Sequence, residues 1–478
     1  MVRTQLRRRA LVLSAAALVG VAWLTPSTPP GVAEASEGTG EATDAGSLAS
    51  VAEGAPNILI INTDDQRTPG TLEVMPKVRR YFEQAGTRYT NGLVSTPLCC
   101  PSRSSFFSGR FSHNTGVLGN GMPDAVAAFD QDATIQGYLQ DAGYRTALVG
   151  KYLTTVPLMT SPKNWDHWAH TTGGYNNVPF NVDGTYAPTS GYYSQHMTSF
   201  ATSFLTDFES TDDQPWLMYV APQAPHYNYT PAKKYRSAPL PADIKPPSYN
   251  EADRSDKPPW VRWWEDQTEE NYQSVRTKQL RTLMSVDDMV GAIFRQLNTF
   301  DETRDTLAVF MSDNGYLWGE HSLKEKRFPY VESSEVPFLV RWPGHVTRGA
   351  VSDRLVMQVD VLPSALEASG VSPTLAYPLD GKSFLSGTAR PEAYQEYFKS
   401  PDAGLRPWAS LRGETWQYIE WYSVDTGALE FQEYYDLAAD PYQLTNLLND
   451  GDASNDPDVQ PLHDRLAVAR TCSGLNCP

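Results

Sequence analysis

The stretch Asn57-Ile58-Leu59-Ile60-Ile61-Asn62-Thr63-Asp64-Asp65 joins an apolar run to a pair of adjacent acids. Such a run, without alternating polar residues, is typical of a strand that is buried on both faces of a sheet. In open α/β sheets, ligands bind beyond the carboxyl ends of the strands. The stretch therefore predicts a central strand at Asn57–Ile61 and, at Asp64 and Asp65, one part of a binding site.

Short apolar runs alternate with helical patterns along most of the chain. We predict strands at Arg145–Val149, Trp216–Val220, Thr306–Met311 and Pro337–Val340, and helices at Pro76–Gln84, Thr134–Asp141 and Leu283–Leu297. This alternation is typical of an α/β fold with a mostly parallel sheet sandwiched by helices. Residues 240–270 are rich in Pro, Trp and charge, which indicates a long surface insertion.

The pattern changes after about residue 385. Three strand patterns follow one another with short turns, and a helix pattern closes the chain; they lie at Trp408–Arg412, Trp416–Tyr422, Ala428–Tyr435 and Val459–Arg470. Consecutive strands with short turns favour an antiparallel arrangement. We therefore predict a catalytic domain over residues 56–385 and a C-terminal subdomain over 386–478, with a smaller antiparallel sheet and a helix.

The N-terminal segment is typical of an exported protein. Arginines precede the apolar run Ala10–Leu24, and Ala33-Glu34-Ala35 fits a small-x-small cleavage pattern. The run is short for a membrane span, so a signal peptide over residues 1–35 is favoured over a short membrane anchor. Residues 36–55 have the composition of a flexible leader. We expect a secreted, extracellular protein without membrane insertion after cleavage, exported by the general or the twin-arginine route.

The charge of the chain narrows the range of partners. Among 478 residues, 39 Lys+Arg stand against 56 Asp+Glu, which gives a formal net charge of −17. This balance argues against a nucleic-acid binder, which usually shows a basic stripe, and against electrostatic docking on anionic membranes. It leaves open a small anionic substrate, because a pocket can be locally basic.

Polar residues follow four of the predicted strands. Asp64-Asp65, Gly150-Lys151, Ala224-Pro225-His226 and Asp313-Asn314 would therefore meet at one edge of the sheet. Crowded carboxylates repel one another unless a cation neutralises them. Three carboxylates and an amide oxygen form a ligand set that suits Ca²⁺ or Mg²⁺. For either pair alone an ordinary turn is the favoured interpretation, but the position of both pairs directly after buried strands favours a metal site.

The segment Pro97–Ser105 contains the adjacent cysteines Cys99 and Cys100 and the basic residue Arg103. Pro101 is typical of a helix start, which places Cys99 just before a helix N-terminus, where an anion is favoured. Arg103 adds a planar cation suited to a tetrahedral oxyanion. These features indicate hydrolysis of an anionic ester, phosphate or sulfate. The alternative is a pair of buried structural cysteines. The other two cysteines, Cys472 and Cys477, could close a small loop after export.

The sequence Cys99-Cys100-Pro101-Ser102-Arg103 resembles the Cys-x-Pro-Ser-Arg signature of the type I sulfatases. Further matches follow in the family's order, including Gly150-Lys151, Ala224-Pro225-His226, Ser312–Gly315, Gly319-Glu320-His321 and Tyr435-Asp436-Leu437. The resemblance covers residues 56 to about 450, and the cysteine doublet is most similar to the N-acetylglucosamine-6-sulfatase branch and its arylsulfatase relatives. It implies an alkaline-phosphatase-like fold and hydrolysis of sulfate monoesters.

The resemblance also implies a role for each residue of the site. A separate maturation enzyme would oxidise Cys99 to formylglycine, whose hydrated aldehyde attacks sulfur and forms a covalent sulfate intermediate. Residue 99 would hold Ca²⁺, with Mg²⁺ as the other choice, together with Asp64, Asp65, Asp313 and Asn314. The diol would be stabilised by Arg103, the sulfate would be held by Lys151 and Lys326, and the leaving group would be protonated by His226. Lys324 is the fallback for Lys326, and a supporting role is open for His321.

One position departs from the family pattern. Many sulfatases continue Gly-Lys-Trp-His, whereas Gly150-Lys151 runs here into Tyr152-Leu153, as in the glucosamine-6-sulfatase branch. This leaves open which group removes the diol proton. His113 is a possible substitute, although structural packing is the favoured interpretation of that residue.

Three functions remain open at this stage. A sulfatase that acts on a small sulfate ester or a sulfated glycan end is favoured over a phosphate or phosphonate ester hydrolase on the same scaffold. An inactive binder of sulfated glycans is disfavoured, because all the implied site residues are present. Six aromatic residues could wall a sugar site, although ordinary packing is favoured for them: Trp165, Trp168, Tyr175, Trp260, Trp263 and Trp264.

Overall fold

The computed structural model describes residues 51–478, except residues 53, 122–123, 128, 155, 212, 388 and 399–404. The predicted signal peptide lies outside the described residues, as does most of the predicted leader. None of the described helices combines the length and the apolar character that crossing a membrane requires.

Fourteen strands form two sheets in the described part of the chain. Their bounds are β1 Asn57–Thr63, β2 Thr87–Leu93, β3 Arg145–Gly150, β4 His167–His170, β5 Phe180–Val182, β6 Thr185–Ala187, β7 Trp216–Ala221, β8 Thr306–Ser312, β9 Phe338–Arg341, β10 Ala350–Met357, β11 Ala393–Tyr397, β12 Trp408–Arg412, β13 Trp416–Tyr422 and β14 Leu429–Asp436.

The large sheet has the strand order β10-β2-β9-β8-β1-β7-β3-β4-β5-β6. The central strands β8, β1, β7, β3 and β4 run parallel to one another. Strand β9 is antiparallel to both of its neighbours, and β5 and β6 form an antiparallel extension next to β4. The predicted α/β fold with a mostly parallel sheet is confirmed.

Eleven helices lie in the described part of the chain, and some of them cover the two faces of this sheet. Their bounds are α1 Pro76–Val78, α2 Cys99–Ser108, α3 Ser112–Thr115, α4 Asp124–Ala127, α5 Ile135–Asp141, α6 Tyr193–Phe208, α7 Pro259–Arg262, α8 Glu269–Thr299, α9 Val331–Ser334, α10 Val361–Ser369 and α11 Gln460–Ala469. The helix predicted at Pro76–Gln84 is α1 followed by a π turn at Arg79–Glu83, and short 3-10 turns lie at Leu72–Val74, Lys233–Tyr235, Gln358–Asp360 and Gly474–Asn476.

Strand β1 separates two hydrophobic cores, as its unbroken apolar run predicts. Leu59 and Ile61 belong to the core that also contains side chains of α6 and α8. Ile58 and Ile60 belong to the opposite core, which contains side chains of α2, α5 and α10. Burial of each such side chain contributes about 1.5–3 kcal/mol. The strand therefore holds Asp64 and Asp65 at a fixed place beyond its end.

The C-terminal part forms a four-stranded antiparallel sheet in the order β11-β12-β13-β14, followed by α11. This agrees with the predicted smaller sheet and helix, to which the structure adds β11. Cys472 and Cys477 form a disulfide, which confirms that they close a small loop. The domain boundaries themselves stay a prediction.

The predicted surface insertion at residues 240–270 is more firmly anchored than its composition indicates. The segment is mostly irregular apart from α7, but Lys257 and Val261 are fully buried. Trp260 packs against Trp421 of β13, with ring centroids 5.6 Å apart. This segment is therefore packed against the C-terminal sheet.

Candidate active site

The polar residues that follow the strands meet at one edge of the large sheet. Strands β1 and β8 are parallel neighbours with Thr63 opposite Ser312, so the residues directly after them lie side by side. The N-H of Asp65 donates to Oδ1 of Asp313 at 3.2 Å. The side-chain amide of Asn314 donates to Oδ1 of Asp65 at 2.7 Å. Sheet register alone thus brings four predicted metal ligands, Asp64 included, to one place.

Asp65 takes a backbone conformation that non-glycine residues rarely adopt, with φ of 70°. Such strained positions persist only where the surrounding structure holds them, and they are concentrated at functional sites. Asp64 and Asp65 are both buried. Burial alone raises a carboxyl pKa, but Lys151 beside Asp64 and Lys326 beside Asp65 lower the pKa of both acids below the usual range. Both carboxylates are therefore charged at neutral pH.

Cys99 is the first residue of α2, with Leu98 as its N-cap, so the helix begins two residues earlier than Pro101 predicts. The thiol Sγ lies 3.7 Å from Oδ1 of Asp64 and 3.0 Å from Nζ of Lys326. Burial raises the pKa of this thiol. The charges of Lys151 and Lys326 have the opposite and larger combined effect, so the pKa lies below the ordinary value. The helix N-terminus also favours negative charge at this position.

Arg103 lies one helical turn after Cys99 and is fully buried. Its Nε donates to Oδ2 of Asp313 at 2.8 Å, and its Nη1 donates to the carbonyl of Lys151 at 2.8 Å. Its Nη2 lies 3.8 Å from Oδ2 of Asp64 and has no hydrogen-bond partner among the described residues. The guanidinium is thus held rigidly, with one donor still free to bind an oxyanion.

Two lysines complete the positive side of the site. Lys151 forms an ion pair with Asp64, and Lys326 forms one with Asp65. Despite burial, which lowers a lysine pKa, these carboxylates raise the pKa of both lysines above the ordinary value. Gly150, which precedes Lys151, has φ of 104°, and a Cβ there would lie 2.3 Å from the carbonyl oxygen of Ala221. Glycine at this position therefore sets the path of the chain into Lys151.

His226 lies at the opening of the site. Its side chain is 30% exposed, whereas those of Asp64, Asp65 and Arg103 are at most 3% exposed. Its Nε2 lies 3.8 Å from Oδ2 of Asp65. Burial lowers the pKa of this imidazole, but Asp64 and Asp65 raise it to about 9. The two carboxylates therefore favour the protonated form of the ring, which is the form that a general acid needs.

The oxygen donors of the site fit a hard divalent cation. Ligand atoms of Asp64, Asp65, Cys99 and His226 all lie within 4.8 Å of one another, and the two carboxylates supply oxygens. Oδ1 of Asn314 is buried without a hydrogen-bond partner among the described residues, which leaves an amide oxygen for a ligand bond. Carboxylate and amide oxygens are the donors that Ca²⁺ and Mg²⁺ prefer.

Other candidate residues lie away from this centre. Lys324 is exposed and lies 5.7 Å above the ring of Trp264, whereas Lys326 contacts Cys99. His113 faces Glu396 and the carbonyl of Cys472, at 3.0 and 2.9 Å, which agrees with a packing role.

Three further residues lie around the site. His321 is buried, and its Nδ1 lies 2.6 Å from Oε2 of Glu251 in the insertion, so its supporting role stays a prediction. Leu153 packs in the same core as Cys100, the second residue of α2. The N-H of Thr154 donates to Sγ of Cys100 at 3.2 Å, so this second cysteine is held as a structural residue.

The six aromatic candidates divide into two groups. Trp165 is buried against Phe107 and Tyr219, and Trp168 donates to the side chain of Asn181, as ordinary packing predicts. Tyr175 is buried behind the site and donates to the carbonyl of His226 at 2.7 Å. The remaining three, together with Lys324, line a cavity of 680 Å³ at the surface: Trp260, Trp263 and Trp264.

The sequence reasoning missed two features next to His226. Gln223 lies in the same loop, and its Nε2 is 3.1 Å from Nδ1 of His226. Tyr229 and Tyr316 join their hydroxyl groups at 2.7 Å beside the opening. Their closeness in sequence to His226 and Asn314 is the signal that could have identified them.

Two family models match the chain. The model described as "Sulfatase" matches residues 56–371, and the model described as "N-sulphoglucosamine sulphohydrolase, C-terminal" matches residues 319–471. The first match includes Asp64, Cys99, His226 and Lys326 in one segment.

Curated relatives agree with these models. The N-acetylglucosamine-6-O-sulfatase of Bacteroides thetaiotaomicron is 26% identical, over 82% of each chain. The extracellular sulfatase SULF-1 homolog of Drosophila melanogaster is 32% identical over 70% of this chain, which spans 31% of that longer protein. A structure solved in complex with its substrate D-glucosamine-2-N,6-O-disulfate shares the fold, with a TM-score of 0.70 and 24% identity over 86% of this chain and 96% of that chain.

Proposed function

The chain belongs to the sulfatase family, and on that premise we propose that it releases sulfate from a sulfated sugar at the buried centre around Cys99. The observation that carries this proposal is the position of Cys99. It lies at a helix N-terminus, against Lys326 and Asp64, and one turn from Arg103. A sulfated sugar is favoured over an aryl sulfate because the similar Bacteroides protein is an N-acetylglucosamine-6-O-sulfatase.

Cys99 supplies the nucleophile after oxidation to formylglycine by a separate maturation enzyme. The aldehyde adds water and becomes a geminal diol at the position of Sγ. One hydroxyl attacks the sulfur of the ester, the S–O bond to the sugar breaks, and the sulfate becomes bonded to residue 99. The second hydroxyl then loses its proton, the carbonyl forms again, and sulfate departs. A diol thus avoids waiting for water to attack an ordinary ester intermediate.

The surrounding residues stabilise the charge that these steps move. Arg103 holds the diol oxygen with its free Nη2 donor, while Lys151 and Lys326 bind the sulfate oxygens. Fixed donors in a water-poor site stabilise such charge without having to reorganise. His226 gives its proton to the bridging oxygen, so that the sugar leaves as an alcohol. Leu153 takes no part, because its side chain packs in the core.

Four chain oxygens hold the metal ion in this proposal. The ligands are the side chains of Asp64, Asp65, Asp313 and Asn314, together with the modified residue 99. A bound Ca²⁺, or Mg²⁺ in its place, supplies positive charge that polarises the sulfate group. The free Oδ1 of Asn314 supports this assignment.

We also propose that the protein is exported. The charged start, the short apolar run and the small-x-small site at residues 1–35 support a signal peptide. The similar Drosophila protein is an extracellular sulfatase, which fits the same location. The catalytic domain at residues 56–385 and the C-terminal subdomain at 386–478 complete the proposed organisation.

Two measurements test the catalytic proposal. Protein made together with a maturation enzyme is digested, and the peptide containing Cys99 is analysed by mass spectrometry; active protein with an intact cysteine there contradicts the formylglycine mechanism. Released sulfate is then measured for N-acetylglucosamine-6-sulfate and an aryl sulfate, beside aryl phosphate mono- and diesters. Faster turnover of the phosphates would favour a phosphate ester hydrolase, and binding without release would favour a sulfated-glycan binder.

A further inference from the structure

A surface groove continues from the opening of the site to the insertion at residues 240–270. The chain runs from His226 directly to Tyr227 and Tyr229, which line a cavity of 170 Å³. This cavity shares Gln267, Asn271 and Lys324 with the larger cavity of 680 Å³. A molecule seated at His226 can therefore extend along the groove over the insertion.

The far end of this groove has the side chains that hold a sugar ring. Trp263 is 75% exposed, and Trp264 lies next to it in the lining. Ligand sites typically combine such aromatic surfaces with a few polar groups that fix orientation. Gln267 and Asn271 supply amide groups in the same lining. An isolated exposed tryptophan needs no explanation, but one grouped with tryptophans and amides beside a catalytic opening indicates binding.

Charges of both signs line the groove. Lys324 lies in both cavities, is exposed, and has its ammonium group 5.7 Å above the ring of Trp264. Glu265 and Asp266 line the larger cavity and Glu325 lines the smaller one. Asp266 accepts a hydrogen bond from Ser322 at 2.6 Å, and Glu325 pairs with Arg327 at 2.6 Å. Lys324 is the cation that a sulfate or carboxylate group on a ligand can pair with.

We propose that this groove binds the second sugar ring of a sulfated oligosaccharide, whose terminal ring places its sulfate at Cys99. Trp263 stacks on the ring, and Lys324 pairs with its anionic group. The inference rests on the proposed sulfatase function and adds a preference: a sulfated glycan end of at least two rings is a better substrate than a single sulfated ring.

Kinetics with matched substrates test the groove. Trp263→Ala and Lys324→Gln are compared with wild type on an aryl sulfate, on N-acetylglucosamine-6-sulfate, and on a sulfated tetrasaccharide with that residue at its end. Each variant is expected to lose roughly tenfold in kcat/KM on the tetrasaccharide, about one strong contact, and less than about twofold on both small substrates. Tyr186→Ala, which removes an exposed aromatic ring from β6, is the control and leaves all three values unchanged.

The outcomes distinguish second-ring binding in the groove from the proposed sulfatase function. Equal losses in kcat/KM on all three substrates, or no loss on the tetrasaccharide, overturn second-ring binding in the groove. Absence of sulfate release from every substrate overturns the proposed function instead. Binding of the tetrasaccharide to Cys99→Ala protein, measured by calorimetry with and without Trp263→Ala, then decides the groove by itself: weakening by Trp263→Ala supports it, and unchanged binding overturns it.

Discussion

The ammonium group of Lys326 lies 3.0 Å from Sγ of Cys99 and at the same time forms an ion pair with Asp65. One lysine thus touches both the proposed nucleophile and a proposed metal ligand. Two positions earlier, Lys324 faces a tryptophan at the surface. This contrast gives a matched pair of variants within a single loop.

Lys326→Gln should lower kcat/KM for an aryl sulfate by about 10²–10³, because it removes a fixed cation from the charge that develops on sulfate. Lys324→Gln should leave the same value unchanged, since its side chain does not reach Cys99. Sulfate release is measured for both variants, and circular dichroism confirms their fold. Equal effects of the two changes would contradict the assignment of Lys326.

The two adjacent cysteines should behave differently. Cys99→Ala should abolish sulfate release, because no other group occupies its position beside Lys326. Cys100→Ala should keep most of the activity and lower the free energy of unfolding by about 1 kcal/mol, since it leaves a small gap in the core. Denaturant unfolding and sulfate release, measured on both variants, check the difference. Loss of activity in Cys100→Ala with an unchanged fold would speak against it.

Removal of divalent cations should stop turnover and also lower Tm, because an ion that binds only the folded protein stabilises it, by about 2.7 kcal/mol at a hundredfold excess over Kd. Ca²⁺ should restore both quantities, whereas Zn²⁺ should not, given the oxygen donors. Asn314→Ala should lose the Ca²⁺-dependent rise in Tm, and Asn298→Ala, an exposed change on α8, should keep it. A Ca²⁺ effect of equal size in both variants would place the ion elsewhere.

The ion pair of His113 and Glu396 should make stability depend on pH. Burial lowers the pKa of His113, but the hydrogen bond that it donates to Glu396 and the charge of that carboxylate raise it above the ordinary value of 6.5. The stabilisation is therefore fully present below pH 6.5 and is lost as pH rises through the higher pKa of the folded state. The difference in unfolding free energy between wild type and His113→Asn should shrink from pH 6 to pH 9. A difference that stays constant or grows would refute this pairing.

The sequence predicts those strands and helices whose residue pattern itself indicates which side chains are buried. Strands β1, β3, β7 and β8 each contain a continuous apolar run because both of their faces are covered. Helix α6 was missed because it is rich in hydroxyl residues, and its side chains at Thr198, Ser199, Thr202 and Thr206 bond back to the helix carbonyls. Such residues usually favour turns, so only the buried apolar face of the helix explains its formation.

Part of the candidate site was predictable for a related reason. Asp64, Asp65, Asp313 and Asn314 follow the ends of β1 and β8, and the register of a parallel sheet brings strand ends together. The predicted start of α2 is two residues too late because Pro101 occupies the third helical position. Its missing N-H costs nothing there, since the first N-H groups of a helix have no partner within the helix. The groove could not be predicted, because the position of the insertion depends on packing between Trp260 and Trp421, which are far apart in sequence.

The burial of Cys99 constrains when its proposed oxidation can take place relative to folding. The thiol is 1% exposed, and every residue of α2 around it is buried. An enzyme that oxidises Cys99, as proposed above, has to reach its thiol, which is inaccessible once this helix lies inside the molecule. The proposed oxidation would therefore have to precede the burial of this helix. A molecule that folds first would remain unmodified, so the yield of active enzyme would depend on the relative rates of modification and folding.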